Sequence, residues 1–245
     1  MAAPPLSILF DLDGTVVDSK PGILASCSAA LHALGHRPDK LEVDNLIGPP
    51  LEEVMAEVLS RFGDDRVAEA VLAYRDHYGS VGFLETTVYP GIEAALDELL
   101  ALKAKLYIAT SKRTIFAERI LGRLGLIDLF AGVHGSEPGG GVDRKADLVA
   151  DVLRRHELSA DRCLMVGDRR QDVEGGRANG VSTVGVLWGY GDRDELQSAG
   201  VMHIAALQGS EPSAVGVRDR DQLGGTRRDV HDAGGLELIP VAIAP

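Results

Sequence analysis

Ser7-Ile8-Leu9-Phe10 runs directly into Asp11-Leu12-Asp13-Gly14-Thr15, and these residues decide how the rest of the chain is read. Four apolar residues that stop at a carboxylate read as a buried strand ending in a polar loop. Ligands of parallel sheets collect beyond the carboxyl ends of the strands, so this loop stands where a site belongs. Asp11 and Asp13 are spaced i, i+2 on a tight turn that Gly14 permits. One carboxylate can attack or hold a cation while the other handles a proton. A calcium loop would need more oxygen ligands at alternating positions and a distal Glu. Here Thr15-Val16-Val17 and Lys20 interrupt that spacing. Taken alone, the motif fits a polar turn as well as it fits a site.

Working outward, the next stretch is helical. Lys20 to Leu34, Leu51–Arg61 and Asp65 to Tyr78 carry apolar residues at helical spacing, and no strand candidate falls between Asp18 and Phe83. At Tyr89-Pro90-Gly91 the pattern changes. Ile92–Leu102, Ile115–Leu124, Ala146–His156 and Asp172–Asn179 read as helices. They alternate with strands at Lys105–Thr110, Leu129–His134, Cys163–Val166 and Ser182–Val186. Such alternation predicts an α/β fold with a doubly wound, Rossmann-like parallel sheet. The strand at 7–10 has no other sheet to join. The helical stretch is therefore an insertion, with a core of 1–17 and 88–206 and an all-helical cap domain at 18–87. Residues 207–245 read as a poorly ordered tail: Gln208–Pro245 holds six glycines, three prolines and no aromatic residue. Leu236–Ile243 is its one extended candidate.

Three further strand ends and helix starts carry chemistry. Thr110-Ser111-Lys112 places hydroxyls at a strand end, where they can bind a phosphate oxygen or merely cap a helix. Lys145 opens a helix after the glycine-rich Gly139–Gly141; a lysine there is ordinarily a solvated surface charge. Gly167-Asp168-Arg169-Arg170-Gln171-Asp172 puts two carboxylates at a strand-to-helix turn, where helix capping is the plainer account. Arg169 reads as exposed and receives no role. Four such coincidences in one sheet favour one site, with carboxylates for Mg²⁺, a hydroxyl and a lysine for phosphate, and a nucleophile.

Composition sets outer limits. The chain has 245 residues, 45% hydrophobic and 25% charged, with a net charge of −12. This is ordinary globular composition, and the acidic balance argues against sequence-independent nucleic-acid binding. No run approaches a membrane span, so no membrane partner is expected. Two cysteines outside any cluster, Cys27 and Cys163, give no zinc signature and fit a reducing, cytoplasmic setting.

The joint pattern of Phe10 to Ser19, Thr110-Ser111-Lys112, Lys145 and Gly167-Asp168 with Asp172 resembles the haloacid dehalogenase superfamily, in its phosphoglycolate-phosphatase-like branch. The resemblance covers about residues 7–200, and Tyr89-Pro90-Gly91 is similar to the family's return from cap to core. Ile47-Gly48-Pro49-Pro50-Leu51 and Gly185 to Gly191 resemble a subgroup named either phosphoglycolate phosphatases or 5′-nucleotidases. After about Met202 the chain departs from the family pattern.

The resemblance implies an Mg²⁺-dependent phosphatase acting on a small phosphorylated metabolite through an aspartyl-phosphate. Asp11 is the expected nucleophile and Asp13 the acid and base. Thr110, Ser111 and Lys145 are expected to hold phosphate. Asp11, the backbone carbonyl of Asp13 and Asp168 are expected to hold Mg²⁺, with Asp172 behind them or on Lys145. Dehalogenases of the family lack the second aspartate, so Asp13 favours phosphate chemistry. A nucleotidase, a phosphomutase or phosphonatase on the same fold, and a non-catalytic binding protein are the alternatives. The intact site argues against the last. Ser19, Lys20, Gly48, Arg75 and Lys112 lie near the hinge or cap and read as surface or structural residues more than as substrate contacts.

Overall fold

The computed structural model describes residues 5–38, 47–137 and 144–206, with the backbone of 216–219 and 236–239. In chain order the first elements are β1 (Ser7–Phe10), β2 (Val17–Asp18), α1 (Lys20–Ala33), α2 (Leu51–Ser60) and α3 (Val67–Ser80). There follow β3 (Thr87–Val88), α4 (Ile92–Ala101), β4 (Lys105–Arg113), α5 (Thr114–Leu124) and β5 (Gly132–Ser136). The chain continues through α6 (Lys145–Arg155), β6 (Cys163–Gly167), α7 (Arg170–Ala178), β7 (Ser182–Val186), α8 (Arg193–Ala199) and β8 (His203–Ala205). β9 (Gly216–Asp219) and β10 (Leu236–Ile239) come last.

Six strands form one sheet in the order β5-β4-β1-β6-β7-β8, every pair parallel. β1 lies inside it, with Leu9 in register with Tyr107 and Met165. These three side chains point to one face, where Leu148, Val149 and Val152 of α6 cover them. Ile8, Phe10, Leu106, Ile108, Leu164 and Val166 point to the other face. They join one core with Leu96 and Leu99 of α4 and Ile120 and Leu121 of α5. Alternation in the strands and helices on both faces make this a doubly wound α/β sheet. Each fully buried Leu or Ile contributes roughly 1.5–3 kcal/mol, so apolar strands interrupted only at their carboxyl ends are what the layering requires.

Several elements differ from the sequence reading. β4 runs on past Thr110 to Arg113, which pairs with Ser136 after an irregularity in register. β5 is Gly132–Ser136, because Ile127–Leu129 turns as a 3₁₀ helix before it. The stretch around the helical insertion is not free of strand: Val17–Asp18 pairs antiparallel with Thr87–Val88, bringing the two connections side by side. The sheet does not stop at Val186. Asp192 caps α8 by accepting from the Glu195 N–H at 2.7 Å, and the three residues of β8 add a sixth strand. A strand of three residues is too short to show a period. In the last segment, Leu236–Ile239 pairs antiparallel with Gly216–Asp219. The Gly139–Gly141 stretch and the remainder of 207–245 lie outside the described residues.

Candidate active site

The backbone places Asp11 first. Its N–H donates to the Val166 carbonyl at 2.8 Å, so the sheet pairing holds through the residue after β1 and ends there. The N–H groups of Thr15, Val16 and Val17 then converge on the Leu12 carbonyl, folding the loop back on itself. Gly14 has φ +87°, and a Cβ there would lie 2.3 Å from Asp168 Oδ2. Only glycine lets this turn press against the Asp168 carboxylate.

Residues from the ends of β1 and β6, from β4 and from the first turns of α6 and α7 meet at this point. Lys145, the first residue of α6, reaches Asp11 Oδ1 at 2.9 Å and Asp172 Oδ1 at 2.8 Å and donates to the Ala109 carbonyl at 3.0 Å. Asp168 accepts from the Thr15 hydroxyl at 3.0 Å and from the Tyr190 N–H at 2.7 Å. Asp11, Asp168 and Asp172 are all buried, and each offers an oxygen within 4.8 Å of the others. Thr110 is buried beside them and accepts from the Lys112 N–H at 3.2 Å, which leaves its own O–H to donate. Ser111 is half-buried and lines the same cavity.

Crowding carboxylates away from water sets the electrostatics. Burial pushes the Asp168 carboxyl up to about 8, and the charges of Asp172 and Asp11 push the same way. Burial pushes Asp172 up to about 6, with the Lys145 ammonium holding it back. Burial works against the Lys145 ammonium, yet Asp11 and Asp172 keep its pKa above the usual lysine value. Asp11 Oδ1 and Asp172 Oδ1 face Lys145 as ion partners but receive no aligned hydrogen bond. Buried, hard, incompletely satisfied oxygens of like charge are a donor set that fits a small divalent cation.

Asp13 points the other way. Its Oδ2 lies 3.0 Å from Lys112 Nζ, and its Oδ1 accepts from the Ser19 hydroxyl at 2.5 Å. The acidic cluster among the described residues therefore contains Asp172 rather than the Asp13 side chain. Lys112 is not a surface residue. Its side chain is 8% exposed and donates to the Tyr78 hydroxyl of α3 at 2.8 Å, with its ammonium 4.4 Å from that ring's centroid. Tyr190 holds the start of α1: its hydroxyl accepts from the N–H of Ser19 at 2.9 Å and of Lys20 at 3.1 Å, and donates to Asp18 at 3.2 Å.

A cavity of about 650 Å³ opens above Asp11 and Asp13. Its floor includes Thr110, Ser111 and Lys112, and its roof comes from α1, α2 and α3. Tyr74 and Tyr78 stack at 5.5 Å, and Phe116 meets Tyr78 edge-on at 5.4 Å, forming an aromatic wall. Gly48 lines the cavity, as does Arg75, which is tied to Glu52 at 2.8 Å. Arg169 is 5% exposed and held by Glu195, so its reading as an exposed residue is corrected. Arg169 and Tyr190 stand in stretches that the sequence singles out, but nothing local to them or to Tyr78 marks their contacts. Their partners lie far away in sequence and meet them only once the sheet forms.

The family model of haloacid dehalogenase-like hydrolases matches residues 8–186. A 5′-nucleotidase of Pseudomonas aeruginosa is 38% identical over 201 residues, 82% of this chain and 90% of that protein. The tyrosine-protein kinase PtkA of Mycobacterium tuberculosis is 34% identical over 207 residues, 83% of this chain and 70% of that one. A phosphoglycolate phosphatase of Neisseria gonorrhoeae is 34% identical over 200 residues, 76% of this chain and 81% of that one. The crystal structure of a predicted phosphatase from Clostridium acetobutylicum superposes with a TM-score of 0.76 at 33% identity, covering 82% of this chain and 94% of that one. No helix among the described residues is long and apolar enough to cross a membrane.

Proposed function

The chain belongs to the haloacid dehalogenase-like hydrolases, and from that footing we propose that it is a phosphatase that hydrolyses a small phosphorylated metabolite, phosphoglycolate-like in kind, through an aspartyl-phosphate on Asp11. The observation that carries this reading is the split between the two loop aspartates. Asp11 is buried against Lys145 beside Thr110, while Asp13 turns into the cavity against Lys112. One carboxylate thus faces the phosphoryl position and the other faces the leaving group.

In the first step an Asp11 oxygen attacks phosphorus, the bond to the leaving oxygen breaks, and Asp13 gives that oxygen its proton. In the second step Asp13 takes a proton from water, the water oxygen attacks phosphorus, and Asp11 departs with inorganic phosphate released. Thr110 and Ser111 donate to the phosphoryl oxygens, and Lys145 adds a point charge beside them. Asp172 orients Lys145, at 2.8 Å. Asp11, the backbone carbonyl of Asp13 and Asp168 would hold Mg²⁺, whose charge would offset repulsion between the carboxylates and a phosphate dianion. The helices α1, α2 and α3 act as a cap that excludes bulk water. Buried, unpaired Cys27 and Cys163 support a reducing, cytoplasmic setting.

The aromatic wall favours a second reading, hydrolysis of nucleoside monophosphates, since a planar base can stack where a two-carbon acid leaves the space empty. Purified protein assayed against phosphoglycolate, nucleoside monophosphates, sugar phosphates and pyrophosphate, with Mg²⁺ and after chelation, tests both. Phosphate release from at least one monoester that stops on chelation is expected. Full activity after exhaustive chelation would remove Mg²⁺ from the proposal, and no release from any substrate would remove the phosphatase reading.

A further inference from the structure

Arg169 is the residue after Asp168, yet its guanidinium is held by groups outside the carboxylate cluster. Its Nε donates to Glu195 Oε1 of α8 at 2.9 Å, and its backbone N–H donates to Asp172 Oδ2 at 3.1 Å. Its Nη1 donates to the carbonyl of Ile47, on the loop that leads into α2. The same Glu195 oxygen accepts from the Arg170 N–H at 2.9 Å, which fixes the carboxylate. A planar guanidinium spreads its Nε and Nη donors along a fixed fork and so reaches acceptors on opposite sides, whereas a lysine offers its donors from a single nitrogen.

The Ile47 loop is built to receive this side chain. Ile47 is 5% exposed, and Gly48 has φ +122°. A Cβ at Gly48 would lie 3.3 Å from Arg169 Cγ, so the backbone lies against the arginine stem. Ile47, Gly48, Pro49 and Pro50 all line the cavity above Asp11 and Asp13. The two prolines stiffen the loop and Pro50 stands at the N-terminus of α2, so the position of Ile47 is passed to the helix. One buried cation therefore joins α8 and the loop after β6 to the part of the roof that faces the substrate's organic portion.

We propose that Arg169 is a positioning residue for leaving-group selection: it pins loop 47–50 over the site and so decides which organic portions are turned over. It leaves phosphoryl binding to Thr110 and Lys145. The activity arm of the test rests on the phosphatase reading; the exchange arm does not.

Arg169→Gln and Arg169→Lys are compared with wild type on acetyl phosphate, which has almost no organic portion, and on p-nitrophenyl phosphate and adenosine 5′-monophosphate. The Gln variant should lose roughly 10–100-fold in kcat/KM on the two large substrates, the scale of a small misplacement of a bound group. On acetyl phosphate it should stay within about 3-fold. The Lys variant, able to keep one partner, should fall between. Hydrogen–deuterium exchange should rise across residues 47–60 while β6 stays protected. Equal loss on all three substrates, loss on none, or unchanged exchange at 47–60 would each overturn the proposal. If wild type turned over none of them, the phosphatase reading would rest on the wider substrate panel, and the exchange result alone would decide the role of Arg169.

Discussion

Lys112 donates to the hydroxyl of Tyr78 at 2.8 Å, joining the end of a core strand to a roof helix directly beside Asp13. The ammonium lies 3.0 Å from Asp13 and is buried. Burial opposes its charge, but Asp13 and then Tyr78 keep its pKa above the ordinary lysine value.

Removing one end of this link separates its two parts. Tyr78→Phe deletes a single hydrogen bond and keeps the ring, so kcat/KM should fall about 2–10-fold, matching a net hydrogen bond of roughly 0.5–1.5 kcal/mol. Lys112→Met strips the cation from Asp13 as well and should cost more than Tyr78→Phe. Steady-state kinetics on one good substrate check both. A Tyr78→Phe loss larger than that of Lys112→Met would mean the hydroxyl acts without the lysine.

The two loop aspartates should fail differently. Asp11→Asn removes the proposed nucleophile, so turnover and any trapped acyl-phosphate should vanish while the circular dichroism spectrum stays native. Asp13→Asn removes proton transfer only. It should cut turnover of an alkyl phosphate by roughly 10²–10⁴-fold, the usual weight of general acid–base catalysis. On p-nitrophenyl phosphate, whose leaving oxygen needs little protonation, the first step should still run and the phosphorylated protein should accumulate. Normal turnover by Asp11→Asn would end the nucleophile assignment.

The sheet, and the residues that it brings together at one point, were legible because each signal is local. Asp11 and Asp168 lie just beyond strand ends, Thr110 closes the apolar run of β4, and Lys145 opens a helix, so a strand-end rule finds them without knowing the partners. Arg169 and Tyr190 were not legible. An arginine after a strand reads as surface, and a tyrosine between Gly189 and Gly191 reads as loop. What buries them is Ile47 and Glu195 in one case and Ser19 and Asp18 in the other. Lys112 stood in a recognised motif, but its role depends on Tyr78, which arrives from the helical insertion. β2, β3 and β8 have two or three residues each, below the length at which a period of two can be seen.

A histidine pair away from the site gives a pH dependence of stability. His134 Nε2 and His156 Nε2 lie 2.8 Å apart, so one shared proton joins them. Burial, then His156 and Arg155, lower the pKa of His134 below 6.5, with Asp151 opposing. Burial, then Arg155 and Lys105, lower that of His156. Between those depressed values and 6.5 the unfolded chain binds more protons than the native one. The contribution of the pair is therefore full above 6.5 and is lost as pH falls through that window. Asp168 and Asp172, whose carboxyls burial raises, act with the opposite sign, so the share of the pair is read by difference: the Tm of His134→Asn relative to wild type should rise as pH falls from about 7 to 5. An unchanged slope in the variant would move the effect elsewhere.

The final segment should be dispensable. β8 completes the six-stranded sheet at His203–Ala205, and the Leu187 N–H donates to the Ala205 carbonyl at 3.0 Å, tying the loop after β7 to that edge. Beyond it, Gly216–Asp219 and Leu236–Ile239 pair with each other in a separate two-stranded sheet. All the residues assigned to the phosphoryl and metal sites precede Val173, and Tyr190 and Glu195, which brace them, precede β8. Isolated two-stranded pairings add little stability in water. A chain ending at Gln208 should therefore stay soluble, keep its response to Mg²⁺ and chelation, and retain at least about half of its kcat/KM, with a Tm within a few degrees of the full chain. Activity and thermal melts on the two chains side by side check this. An insoluble or inactive product from a chain whose full-length form is active would show that residues after 208 cover the β8 edge, where a three-residue strand leaves backbone groups open to pairing.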